Sequence, residues 1–298
     1  MTTALAPAPT KLTDQRRASN RRARKQGSGI GNIAAGVGAW IIGLLFISPI
    51  LWMLLTSLHS EQDAAANPPA FAAPLTFENY TNFFAGGQAI YPILNSVIAS
   101  FSSTLLVILL AIPAAYALSV RPVEKWTDVM FFFLTTKMLP LVAGILPIYL
   151  IARQFNLLDN INLLVVLYTS MNLPIAIWMM RSFLADIPVE LFEAAAIDGA
   201  GLITTLRSVI VPIISPGIAA TALICFIFSW NELFLANRLA SGVVARTAPV
   251  YLGSFITGEG LFAAKLAAAA VIVSLPVLIA GFAAQDKLVQ GLSLGAVK

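Results

Sequence analysis

Long apolar runs separated by short polar stretches dominate the sequence, and their lengths predict helices rather than strands. Crossing about 30 Å of hydrocarbon takes roughly 20 mostly apolar residues in a helix. Six segments are long enough: residues 33–58, 92–119, 129–152, 163–184, 209–236 and 264–284. No stretch alternates apolar and polar residues in the manner of a membrane strand. Lipid offers no partner to an open backbone N–H or C=O, so the expected fold class is an all-α integral membrane protein with six transmembrane helices over residues 32–298. Pro113, Pro140, Pro147, Pro174, Pro216 and Pro276 fall inside the spans, and each removes one helix hydrogen bond. Kinks are expected, notably at Pro140 and Pro147, although packing irregularity accounts for any single proline equally well.

Composition agrees with the pattern. Only 11% of the 298 residues are charged and 58% are hydrophobic, against about 25% charged in a soluble domain. The net charge of +4 owes most to a basic cluster from Arg16 to Lys25. That cluster lies in a tail, residues 1–31, rich in Ala, Pro, Arg, Ser and Gly, for which disorder is expected. It can touch anionic lipid head groups, although topology alone explains it. With the N-terminus inside, this cluster joins Lys125, Arg121, Arg181, Arg207, Lys287 and Lys298 on the cytoplasmic face, leaving Arg153, Arg238, Arg246 and Lys265 outside. The bias toward positive inner loops then puts both termini in the cytoplasm of a multi-pass inner (plasma) membrane protein. The first span is too long for a cleaved signal peptide and reads as a signal anchor.

Catalytic chemistry is sparse. Gly29, Gly31 and Ala34 imitate a dinucleotide fingerprint but lack a preceding strand, and no phosphate-cradling Gly-rich loop ending in Lys-Ser/Thr occurs. His59, the sole histidine, has no second imidazole or thiolate near it in sequence and is expected at the membrane interface; no metal site is expected. Cys225 sits in an apolar run and reads as core. No catalytic residue, no cofactor and no nucleic-acid partner is expected for this chain.

One polar stretch interrupts the greasy pattern, PVELFEAAAIDGAGLITTLRSVIVP from Pro188 to Pro212, within a loop spanning 186–208. Pro188 suits a helix start, Ala194, Ala195 and Ala196 propagate it with little bulk, and Gly199 can take the left-handed conformation that ends it. Glu190 and Glu193, three apart, share a face and can accept from Arg or Lys on a partner. Such a slender acidic helix, with Asp198 at its end, is built to enter a groove. An ordinary amphipathic loop helix is the bland alternative.

This stretch resembles the coupling loop of binding-protein-dependent ABC importer permeases. Glu193-Ala194-Ala195, Gly199 and Ile210-Val211-Pro212 occupy the family's positions, with Val211 in place of the usual leucine. Thr136-Lys137-Met138-Leu139-Pro140, Leu146-Pro147-Ile148-Tyr149, Leu173-Pro174, Ser229-Trp230-Asn231-Glu232 and the Gly291 to Lys298 ending are similar to the carbohydrate-uptake branch, in particular the second, maltose-type permease of a heterodimer. Lys137 and Gln285-Asp286 depart from the family's frequent Arg and Gln-Arg. Glu259-Gly260-Leu261-Phe262 before Ala264-Lys265-Leu266, and the final Lys298, resemble sorbitol and mannitol permeases. The resemblance implies a type I ABC importer permease fold, a second permease subunit, an ATPase dimer holding ATP and Mg, and an extracytoplasmic carbohydrate-binding protein. It implies ATPase coupling through Glu190, Glu193, Ala194, Ala195, Asp198, Gly199 and Pro212. The C-terminal tail, 285–298, either enters the ATPase interface, as in relatives, or frays in solvent.

Ionisable groups inside a membrane helix are costly and mark candidate pathways. Lys137, Asn172, Ser229, Trp230, Asn231 and Glu232 offer the amide, hydroxyl, charged and aromatic groups that suit a polyhydroxylated ligand. Structural bonding is the alternative for Lys137 and Glu232. A sugar alcohol is the favoured substrate, with a di- or oligosaccharide of trehalose or maltose type second. An ion-coupled secondary carrier is the rival class, disfavoured because no inverted repeat is visible.

Overall fold

The computed structural model describes residues 30–67, 71–85, 87, 89–120, 123–138, 141–258 and 260–296. Most of the expected disordered tail, together with Arg121, Leu139, Pro140, Glu259, Val297 and Lys298, lies outside them. The chain divides into two compact units, residues 1–55 and 56–298. The first unit contributes helix α1, Ile30–Ser57, which is apolar on every side and carries no charged residue. Pro49 inside it has no N–H for the Leu45 carbonyl, four residues earlier, and the Ser48 hydroxyl donates to that carbonyl at 2.9 Å instead.

In the second unit, α2 (Glu61–Ala64) and α3 (Glu78–Ala85) precede the long helix α4 (Ile90–Val120). Then come α5 (Trp126–Met138), α6 (Leu141–Gln154), α7 (Ile161–Ala185), α8 (Val189–Ile197) and α9 (Leu202–Ile213). The chain continues through α10 (Ser215–Trp230), α11 (Phe234–Leu239), α12 (Ala248–Leu252), a two-stranded antiparallel hairpin of β1 (Ile256–Thr257) and β2 (Gly260–Leu261), and α13 (Ala263–Ala296). Helices α1, α4, α7 and α13 are each long and apolar enough to cross a membrane, and the bent pairs α5/α6 and α9/α10 bring the candidates to six.

Two of the six expected spans are sharply bent pairs. Between α5 and α6 the axis turns by 86°. The second bend, 83°, falls at Ile214 between Pro212 and Pro216, inside the segment expected at 209–236. The last helix also runs past the expected end at 284, to Ala296.

Helices α4 and α7 form the central seam. The buried stripe of α4 is made of small residues, among them Ser96, Ala99, Ser100, Ser103, Ala111 and Ala115. Against it α7 presents Leu164, Tyr168, Asn172, Ala176, Met180 and Leu184, each four residues after the last. Small side chains let the backbones approach, which is how helices gain contact where lipid removes the hydrophobic drive to associate. Cys225 of α10 is fully buried in the same core.

One end of this unit is clasped by polar side chains. Asp159, at φ 53°, accepts from the Val244 and Ala245 amides at 3.1 and 3.0 Å, and its own N–H donates to Leu239 O at 2.8 Å. A side chain at Gly242 would overlap the Asp159 carboxylate, so glycine is required there for close approach. Asn95 donates to the Val244 and Arg246 carbonyls, and Ser96 accepts from the Ala248 amide. At the same end Glu61 caps α13 by accepting from the Ala264 and Lys265 amides. His59, expected at the interface, is instead buried there, and its carbonyl accepts from Asn79 at 2.8 Å. Replacing Asp159 by Ala should weaken this clasp by about 1.5–3 kcal/mol, the usual worth of hydrogen bonds to a charged group; the readout is faster hydrogen exchange at Val244 and Ala245, with the amides of α7 unchanged.

Candidate functional site

The loop after α7 folds as its residues dictate. Pro188 is the N-cap of α8, extended at φ −56° and ψ 135°. At the far end Gly199, at φ 70°, is the left-handed residue that stops the helix. The Gly199 amide donates to Ala196 O at 3.1 Å and the Ala200 amide to Ala195 O at 2.9 Å, the paired bonds of a Schellman ending. Ala195 is buried against the bundle, while Glu190, Glu193, Ala194 and Asp198 are exposed. Phe192 anchors the helix by packing on Tyr116 of α4, ring centroids 6.1 Å apart.

Beyond the turn the chain climbs back through α9, where Thr205–Ile210 is wound as a π-helix. Pro212 follows it, lacking the N–H that would bond the Ser208 carbonyl, and wider winding keeps that carbonyl clear of the ring. Around α8 several large apolar side chains stand in the open: Val189 at 58% exposure, Ile197 at 86%, Leu202 at 51% and Ile203 at 78%. Exposed apolar groups beside exposed acids on and next to this short helix form a candidate docking face.

The six candidate pathway residues do not converge. Asn172 is fully buried and donates to Tyr168 O and to Ser229 Oγ, both at 3.0 Å. Ser229 Oγ lies 3.1 Å from the Ser103 hydroxyl, so α4, α7 and α10 are pinned by one polar node. Trp230 is core, stacked on Phe226 at 5.7 Å. Asn231 is exposed, and its amide donates to Ile227 O at 2.8 Å. Glu232 is buried and caps α11, accepting from the Leu235 and Ala236 amides at 2.9 and 3.1 Å. The Tyr168 hydroxyl approaches the same carboxylate without completing a hydrogen bond.

Lys137 lines a cavity of about 490 Å³. Its neighbours there include Phe132, Phe133, Thr136, Ser170 and Met171. Rings to stack on, hydroxyls and an ammonium group suit a hydroxyl-rich solute. Of these, sequence reasoning singled out only Lys137, because Phe132, Phe133, Thr136 and Ser170 look like ordinary span residues until the α5/α6 bend opens a space beside α7.

Comparison with known proteins agrees with the fold. The family model described as "Binding-protein-dependent transport system inner membrane component" matches residues 94–293. A Streptomyces antibioticus protein named as an ABC transporter permease, ORF1, is 36% identical over 223 residues, covering 75% of this chain and 97% of that protein. The trehalose transport system permease SugB of Mycobacterium tuberculosis is 32% identical over 253 residues, covering 84% and 92%. A crystal structure of a bacterial ABC transporter involved in import of the acidic polysaccharide alginate has a similar fold, with a TM-score of 0.73 at 24% identity, covering 87% of this chain and 96% of the matched one. The chain therefore belongs to the inner-membrane component family of binding-protein-dependent transport systems. It is an ABC transporter permease, a multi-pass membrane transport subunit rather than an enzyme.

Two outcomes follow from the geometry. Gly199→Ala places a β-carbon on a left-handed residue and should cost about 1–2 kcal/mol at the end of α8; copurification of the ATPase subunit should fall accordingly. Ser229→Ala should lower stability in detergent by about 0.6–1.7 kcal/mol, the range for buried interhelical hydrogen bonds, seen as a lower Tm. Because the node is closed to solutes here, the KM for transport should stay at the parent value.

Proposed function

We propose that this permease imports a carbohydrate, working beside a second permease subunit and receiving solute from an extracytoplasmic binding protein. Helix α8 is the coupling element, and the observation that carries this is the docking face just described. Acids at Glu190, Glu193 and Asp198 stand among exposed Val189, Ile197, Leu202 and Ile203 on a helix whose root is locked into the bundle. A partner that grips it can move the membrane helices. ATP and Mg bind that partner, an ATPase dimer on the cytoplasmic side. ATP-driven closure draws the coupling helices of the two permeases together and opens the pathway outward; hydrolysis resets it.

A di- or oligosaccharide is the substrate class we favour. The relatives reported above are named for trehalose and, in the solved structure, for alginate; both are glycosidically linked sugars. The cavity beside Lys137 has the aromatic rings Phe132 and Phe133 to stack on sugar faces, and the hydroxyls of Thr136 and Ser170, which donate to Phe133 O and Leu167 O, to accept from sugar hydroxyls. A sugar alcohol, favoured on sequence resemblance alone, gains no support from these relatives. Membership of an ABC family sets aside the ion-coupled carrier.

In proteoliposomes holding the complete transporter and its binding protein, a disaccharide such as trehalose should stimulate ATP hydrolysis and accumulate when ATP is present. Proton and sodium ionophores should not affect it. Stimulation by sorbitol with none by disaccharides would return the assignment to the sugar alcohols.

A further inference from the structure

Helix α5 carries much of the cavity wall, including Phe132, Phe133, Thr136 and Lys137, yet it is weakly held. Met130 is its only buried residue, and Phe131, Phe132 and Met138 are 74%, 65% and 82% exposed. By contrast α4, α7 and the root of α8 share one core, with Tyr116, Ile177, Met180, Leu184 and Phe192 in it. A displacement of α8 reaches α4 and α7 directly, through the Phe192–Tyr116 contact and the short link in which the Ile187 amide bonds Leu184 O. Of α5 only Met130 and the partly buried Phe133 enter that core, both away from its first turn, so that turn is held through another contact.

Arg181 provides one. It lies in the last turns of α7, and its guanidinium carbon sits 3.4 Å from the centre of the Trp126 ring, the first residue of α5. The same group donates through Nε to Leu118 O near the end of α4, at 3.4 Å. One side chain thus touches the ends of three helices. Arginine suits the place because its flat cation stacks on an indole while its edge still donates; a lysine ammonium cannot do both. Trp126 and Lys137 stand at opposite ends of α5, about 16 Å apart at 1.5 Å per residue, so movement at the stack swings the wall of the cavity.

We propose that the Arg181–Trp126 stack is a positioning pair that transmits coupling-helix movement to α5 and thereby reshapes the cavity beside Thr136 and Lys137. This rests on α8 being the ATPase-docking element. The test uses the reconstituted transporter with its partner permease, ATPase and binding protein. A nitroxide is placed at Thr136→Cys in a Cys225→Ser background. Arg181→Ala and Trp126→Ala should each lower uptake per assembled complex by about tenfold, within the usual range of coupling energies. The ATPase should still copurify and still hydrolyse ATP on stimulation. The ATP-dependent change in nitroxide mobility should vanish, Arg181→Lys should fail to restore it, and the double variant should be no worse than either single one. Uptake that falls only in step with recovered complex, or a nitroxide response that persists in Arg181→Ala, overturns the proposal. An ATPase that stays bound to Glu193→Lys and to Gly199→Asp would sink the docking reading, and the proposal with it, by a separate readout.

Discussion

Close approach of α4 to α7 is the constraint on which the second unit depends. In lipid the hydrophobic effect gives helices no reason to associate, so contact must come from packing and from polar groups that find partners only in the assembled state. The small stripe of α4 supplies the packing. The Ser103–Ser229–Asn172 node supplies the polar register and adds α10 to the pair. With that seam fixed, the two ends of the unit can specialise.

At one end Asp159, Asn95, Ser96, Glu61 and Glu232 are spent on backbone amides and carbonyls. Acids in such positions replace missing helix partners and stiffen loops that would otherwise fray. At the other end the chain leaves acids and large apolar groups uncovered on α8 and α9. Between α8 and the membrane helix α10 lie a π-helical segment and an 83° bend. A π-helix is wound with poorer hydrogen-bond geometry than an α-helix, and such segments recur at functional sites.

The shape of the candidate coupling helix was legible in the sequence because its chemistry is local. Gly199 must be glycine for its own backbone angle, and the bonds from Gly199 and Ala200 reach back only three and five residues. The pathway residues were less legible. Glu232 reads as a costly intramembrane charge, yet its carboxylate caps a six-residue helix that forms only because the span ends at Trp230. Arg181 counts in the sequence merely as a charge that fixes orientation; nothing along the chain indicates that Trp126 lies under it.

By itself the sequence determined the helical class, the number of apolar segments, and the small acidic helix with its glycine stop. Each follows from hydropathy summed over a window or from the angles and hydrogen bonds of residues a few positions apart. Tertiary structure alone decided that the α5/α6 bend opens a cavity at Lys137, that Asn172 and Ser229 bond one another across 57 positions, and that Arg181 ties three helix ends together. Those outcomes depend on which helix faces are brought together, and in a chain apolar on nearly every side the hydrophobic pattern does not distinguish the face that meets a neighbour from the face that meets lipid.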